Sequence, residues 1–389
     1  MSDSPDKTSS ESSSFTETTT ESWGSRLANS LIATLVGLVL VPAAVILPFW
    51  NEGRAVDAIR ALDRGAGSVV EVSADAATPS GEGKLVHLSG LMAPATPARD
   101  PVFGVSAEGL LRLSRTVEMY QWAEESKSDS QGNVGGSKTT TTTYTYKRDW
   151  ADHAIDSSRF KQSSDHRNPA MPQQSASFSA GGVKLGVYRV DEPILRELSA
   201  TVPLTPKGVP PAGYRPSDDG FYRGQNPASP AVGDVRVTFK GASAQVVSVV
   251  AAVAGGMLTS YKDGNGYEIA LLQPGAVSAA AMFAEAKQAE SILTWILRAL
   301  GFVLVLVGLV CITRPLTMLF AVLPFLETIV GAGAFLAALT FAVPITLVTI
   351  AVAWMVYRPL IGLLLLGAAA AGMFLFGRIG RRRQAPAPA

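Results

Sequence analysis

Residues 27–50 read LANSLIATLVGLVLVPAAVILPFW and carry no charged side chain. A helix needs about 20 such residues to cross a hydrocarbon core of about 30 Å. Pro42 and Pro48 sit in the second half, where neighbouring helices can re-satisfy a freed carbonyl, and Trp50 ends the stretch as an interfacial aromatic. The rival reading is a cleaved export signal. The residues before it are acidic and Ser/Thr-rich, not short and basic, and no small-residue cleavage site follows. The stretch reads as an uncleaved membrane anchor.

On its N-terminal side, residues 1–24 are mostly Ser, Thr and acids, with Phe15 and Trp23 the only aromatics. Such a segment buries too little surface to offset its ordering entropy, so disorder is predicted. On the other side, Ala55, Val56, Ile59 and Leu62 recur at helical spacing between Asp57, Arg60 and Asp63. They predict a short amphipathic helix leading off the bilayer.

The C-terminal third is apolar again. Residues 292–313 form a second predicted span, with Trp295 at its entrance and Arg298 positioned to snorkel. Residues 315–326 are too short for a crossing and contain Pro324, so an interfacial or re-entrant segment is expected. Residues 332–357 form the third span, broken by Arg358-Pro359, and residues 359–377 the fourth. A basic, then Ala/Pro-rich tail, residues 378–389, follows. An even number of spans puts both termini on one side. Arg378, Arg381, Arg382 and Arg383 make that side cytoplasmic, against the pull of Arg54, Arg60 and Arg64. The domain between spans one and two, residues 51–290, then faces a periplasm or lumen.

Within that domain the period changes to two. Residues 84–90, 117–122, 139–150, 235–240 and 245–253 are strand candidates. Residues 124–138 read as the floppy tip of a long hairpin, and Asp263-Gly264-Asn265-Gly266 as a tight hairpin turn. Ser278 caps an Ala-rich helix that leads toward span two. The expected fold is thus an α+β membrane protein: four transmembrane helices, one N-terminal and three C-terminal, around a large, mainly β extramembrane domain.

Totals narrow the function. The chain has 389 residues and a net charge of +1, which gives no basic footprint for nucleic acid. With one cysteine, Cys311, an intramolecular disulfide is impossible. Three histidines leave little for a metal site, and no cofactor is expected. No phosphate loop, nucleophile elbow or dinucleotide fingerprint occurs. Asp152-His153 and Asp165-His166 are the nearest acid–base pairs. Neighbours on a strand point to opposite faces, so solvated histidines are the expectation. Arg298, Arg314, Glu327 and Arg358 lie at span ends, as anchors do.

Several strings, in order along the chain, resemble the transmembrane protein 43 (LUMA) family. They are Asn51-Glu52-Gly53-Arg54, Glu82-Gly83-Lys84-Leu85-Val86-His87, Asp100-Pro101 and Val117-Glu118-Met119-Tyr120-Gln121-Trp122. Asn168-Pro169, Asn226-Pro227, Val232-Gly233-Asp234, Thr294-Trp295, Arg298 and Tyr357-Arg358-Pro359-Leu360 continue them. The resemblance implies four spans, both termini cytoplasmic or nucleoplasmic, a lumenal domain and no catalytic residue. Animal members are expected in endoplasmic reticulum and inner nuclear membrane, with envelope partners. The Ser/Thr-rich start and Ala/Gly-rich late spans depart from them and suggest a bacterial member, placed in the inner membrane. The expected role is a non-enzymatic scaffold whose partners are the bilayer, other membrane proteins and a second copy of itself. The alternatives are a channel or lipid-moving protein, and a membrane-anchored hydrolase using Asp152, His153 or His166.

Overall fold

The computed structural model describes residues 13–76, 81–207, 209–360 and 362. Its elements begin with β1 (Ser13–Glu21) and a single 46-residue helix, α1 (Trp23–Ser68). Then come β2 (Val70–Glu71), β3 (Leu85–Ala93), β4 (Leu110–Gly132) and β5 (Lys138–Ala151). Short elements follow: β6 (Ala176–Ser179), β7 (Lys184–Leu185), β8 (Tyr188–Val190), α2 (Glu192–Arg196), β9 (Val202–Pro203), β10 (Arg215–Ser217) and β11 (Gly220–Arg223). Next are β12 (Val235–Ser243), β13 (Gln245–Ala254), β14 (Met257–Thr259), β15 (Tyr261–Lys262), β16 (Glu268–Ile269) and β17 (Leu271–Pro274). Two long helices, α3 (Ala279–Leu319) and α4 (Pro324–Tyr357), complete the described chain.

These elements divide into two compact units. The first comprises Met1–Thr19, Asp63–Ser130 and Thr140–Glu285. It holds an eight-stranded sheet in the order β1-β5-β4-β12-β11-β10, with β6 beside β4 and β9 beside β12. A seven-stranded sheet runs β17-β13-β14-β8-β7-β3-β2, with β13 also paired to β3. One core joins the two. Leu113, Val117, Met119, Val235, Val237 and Phe239 come from the first sheet, and Val86, Leu88, Met92, Val247 and Val249 from the second. The alternation over residues 235–240 therefore has its buried side on this core. Asp263 makes the predicted hairpin turn, its Oδ1 accepting from the Asn265 and Tyr267 amides at 2.9 and 2.8 Å. Arg64 pairs with the same carboxylate, and this bond, ahead of the backbone amides, holds its pKa below the ordinary value.

The second unit comprises Thr20–Leu62, Gln131–Thr139 and Ala286–Ala389. Three helices are long and apolar enough to cross a membrane: α1, α3 and α4. Leu35, Leu336 and Leu347 are 60–64% exposed, which suits a hydrocarbon solvent. Helices α1 and α3 approach backbone to backbone. A Cβ on Gly37 would lie 2.5 Å from the Gly308 carbonyl, and one on Gly308 would lie 2.7 Å from Val41.

Four expectations change, and a fifth falls outside the described residues. Residues 13–21 of the supposed disordered tail form β1, because Thr16, Thr18 and Thr20 meet Thr143, Thr141 and Thr139 across the strands and Phe15 stacks on Tyr144. The hairpin tip is far shorter than 124–138. Ser128 and Ser130 bond Thr142 and Thr140 at 2.9 Å and carry the ladder out to Gly132. The segment after span one is no separate helix but the end of α1. Residues 315–326 form no separate segment either. Helix α3 passes through Pro315 to Leu319, and α4 begins at Pro324. The predicted fourth span lies almost wholly outside the described residues.

Candidate functional site: a buried polar cluster among the helices

The string at 51–54 sits mid-helix in α1, where all backbone groups are already paired. Its polar side chains must find partners on other helices. Helix α3 presents Glu290, Thr294 and Arg298 on one face at steps of four, and α4 presents Trp354 and Tyr357 three apart. Glu52 is fully buried. One carboxylate oxygen accepts from Arg298 Nε at 2.6 Å, and the other from Trp354 Nε1 at 2.8 Å. The Arg298 guanidinium lies 4.7 Å from the Trp295 ring centre and 5.6 Å from that of Trp354. Its side chain is only 12% exposed, so it does not snorkel as expected but closes on a buried carboxylate. Asn51 Nδ2 donates to the Thr294 carbonyl at 3.4 Å, and Arg54 pairs with Glu290 at 2.8 Å. Gly53 is required by closeness, since a Cβ there would lie 2.7 Å from the Tyr357 ring. Arg358 and Pro359 end α4.

Within the β unit the motif residues come together differently: they pin backbone. Asn168 Oδ1 accepts from the Trp122 amide at 2.8 Å while its Nδ2 donates to the Trp122 carbonyl at 2.9 Å. Pro169 packs under Gly233, which adopts φ +96° and leaves no room for a Cβ. Asp234 accepts from Tyr222 Oη at 2.6 Å and from the Ala231 amide at 3.0 Å. Burial, then this bond, raises the Tyr222 pKa above its ordinary value. Asn226, followed by Pro227, accepts from the Ala228 amide at 3.1 Å. Glu118 forks onto Arg236 at 2.7 and 2.9 Å, and Arg236 stacks on Trp150, which touches Tyr120. Near Gly83, His87 faces Glu71 through Nδ1 at 2.5 Å and the Val277 carbonyl through Nε2 at 2.9 Å.

The histidines scatter. His153 is exposed and pairs with its neighbour Asp152 at 2.9 Å. His166, expected in solvent, is buried, stacked 3.8 Å from the Tyr146 ring and edge-on to Trp122. Burial and a bond to Glu124 raise the Tyr146 pKa to about 12. Asp165 does not pair with His166, whose ring nitrogens face Ser13 and the Gln162 carbonyl. Among the described residues no group of three or more His, Cys, Asp or Glu is placed to hold a metal ion. Sequence reasoning missed Glu290 and Trp354. The four-residue spacing of Glu290, Thr294 and Arg298 was the available signal.

Comparison with known proteins places the chain in a family. The family described as Transmembrane protein 43 matches residues 119–359. Transmembrane protein 43 of Rattus norvegicus is 33% identical over 349 residues, 86% of this chain and 87% of that protein. The Drosophila melanogaster homolog is 32% identical over 88% of this chain and 94% of its own length. The Homo sapiens protein is 32% identical over 88% and 89%. No solved structure matches. With three apolar helices, a β-rich middle and relatives aligned along nearly their whole length, the chain is a multi-pass integral membrane protein of the transmembrane protein 43 family.

Proposed function

We propose that the protein is a non-enzymatic membrane scaffold, organising its membrane through protein–protein contacts of the β-rich domain. The observation that carries this reading is the mutual pairing of the charged groups in the polar helix cluster, which leaves only Asn51 Oδ1 and Arg54 Nε and Nη2 without partners among the cluster's described buried atoms. Glu52 spends both oxygens on Arg298 and Trp354, and Arg54 is held by Glu290. Ionisable groups of a conducting or carrying path face water or cargo. Here they face one another, which fastens three helices and leaves the extramembrane domain as the working surface. Crosslinking in native membranes tests the reading. Partners or second copies should crosslink through residues 55–290, and reconstituted vesicles should pass no ion or lipid beyond empty ones. A monomer without crosslinks, or a measurable flux, overturns it.

A further inference from the structure

The apolar stretch 27–50 begins directly after Arg26, and the apolar stretch 292–313 ends directly before Arg314. At this shared end of α1 and α3 the helical unit holds a cavity of about 280 Å³. Glu21, Arg26, Asn29, Lys138, Arg314 and Glu327 supply its polar wall. Most of these groups are occupied. Buried Arg26 pairs with Glu327 and donates to the Gly136 carbonyl at 2.7 Å. Glu21 accepts from Asn29 Nδ2 at 2.6 Å and from Ser25 Oγ at 3.1 Å. Two cations are left over. Neither the Arg314 guanidinium nor the Lys138 ammonium bonds or pairs with any group among the described residues. Lys138 comes from the β4–β5 hairpin, whose tip is clipped to the helices, the Gly135 amide donating to the Val322 carbonyl at 3.0 Å.

We propose that this cavity binds the phosphate of an anionic lipid headgroup between Arg314 and Lys138. Arg314 offers a planar fork that matches phosphate oxygens, and Lys138 adds a point charge beside it. The Arg26–Glu327 pair is neutral as a unit, which leaves two free cations against the single carboxylate of Glu21. Location names the ligand. The cavity lies where the apolar helix surfaces end, the level at which a bilayer presents its phosphates. At the same level the Trp23 indole donates to the Met318 carbonyl at 2.9 Å, as interfacial aromatics do. Just inside, Ile32, Val36 and Val307 are 44–60% exposed and give acyl chains a surface. Drug-sized ligands occupy sites of roughly 300–1,000 Å³. This smaller space suits a headgroup whose tails stay outside. The scaffold reading concerns the β-rich domain, and the lipid site stands or falls without it.

Full-length protein in detergent micelles, titrated with phosphatidylglycerol and followed by native mass spectrometry, tests this. Phosphatidylglycerol should be retained as a bound lipid, and phosphatidylcholine, whose choline cancels the phosphate charge, should not displace it. Arg314→Gln and Lys138→Gln should each weaken binding about fivefold, and together roughly thirtyfold. Arg314→Lys/Lys138→Arg keeps both charges and should retain most of the affinity. Melting without added lipid should not change in the Gln variants, because neither side chain has a partner to lose. Undiminished binding by the double Gln variant, or equal binding of phosphatidylcholine, overturns the proposal. A loss from Arg314→Gln with none from Lys138→Gln overturns it too, since the hairpin tip would take no part. Displacement of the lipid by inorganic phosphate at matched concentration would make this a free-anion site and overturn the lipid assignment.

Discussion

The two units solve one problem, where to put polar side chains that the fold cannot expose, in opposite ways. In the β unit the motif residues serve backbone: Asn168 caps both groups of Trp122, and Asp100 takes the Val102 and Phe103 amides at 2.8 and 3.0 Å. Loops leave amides and carbonyls without regular partners, and side chains supply them. Around residues 51–54 the helix pairs its own backbone groups, so Glu52, Arg298 and Trp354 serve each other. A motif that pins a loop tolerates a change of side chain with a local loss. A motif whose members are each other's only partners loses everything at once.

The contrast breaks first at Glu52. Glu52→Ala leaves Arg298 buried without its carboxylate and should cost about 3–5 kcal/mol, read as denaturation of the full chain in mixed micelles. A loss no larger than that of a surface change would remove the distinction. Next comes Asn168→Ala in the β unit. It orphans two groups of Trp122 and should cost about 2 kcal/mol, with added proteolysis confined to residues 154–170.

How far the sequence foretold these sites follows from the same contrast. Charge-free stretches announced three helices, because a span is a local property of 20 or so residues. The partners of Glu52 were hidden, for Arg298 lies 246 positions away and nothing local marks it. Strand β1 was missed for a similar reason. Its alternating threonines share their composition with disordered tails, and the strand that orders them is more than a hundred residues on. Asn168 was legible as a marked position, while its role as a backbone clip needed the fold.

Two smaller effects sharpen the comparison. Gly308→Ala places a methyl against Val41 where α1 and α3 touch, and should cost about 1–2 kcal/mol; the same change at exposed Gly333, which has open space, should cost nothing measurable. The raised pKa of Tyr146 favours its protonated form in the fold. That contribution is whole below the unfolded value of about 10 and is lost as pH rises through about 12. Stability of the wild type should therefore fall across that window more steeply than that of Tyr146→Phe.

The account's central claim, that the helices are fastened by the buried pairing of Glu52 with Arg298, is tested most directly by a double-mutant cycle of Glu52→Ala and Arg298→Ala in the full-length protein. It predicts strong coupling, roughly 2 kcal/mol or more, with the second substitution costing little once the first is made. Losses that simply add, within about 0.5 kcal/mol, would contradict it.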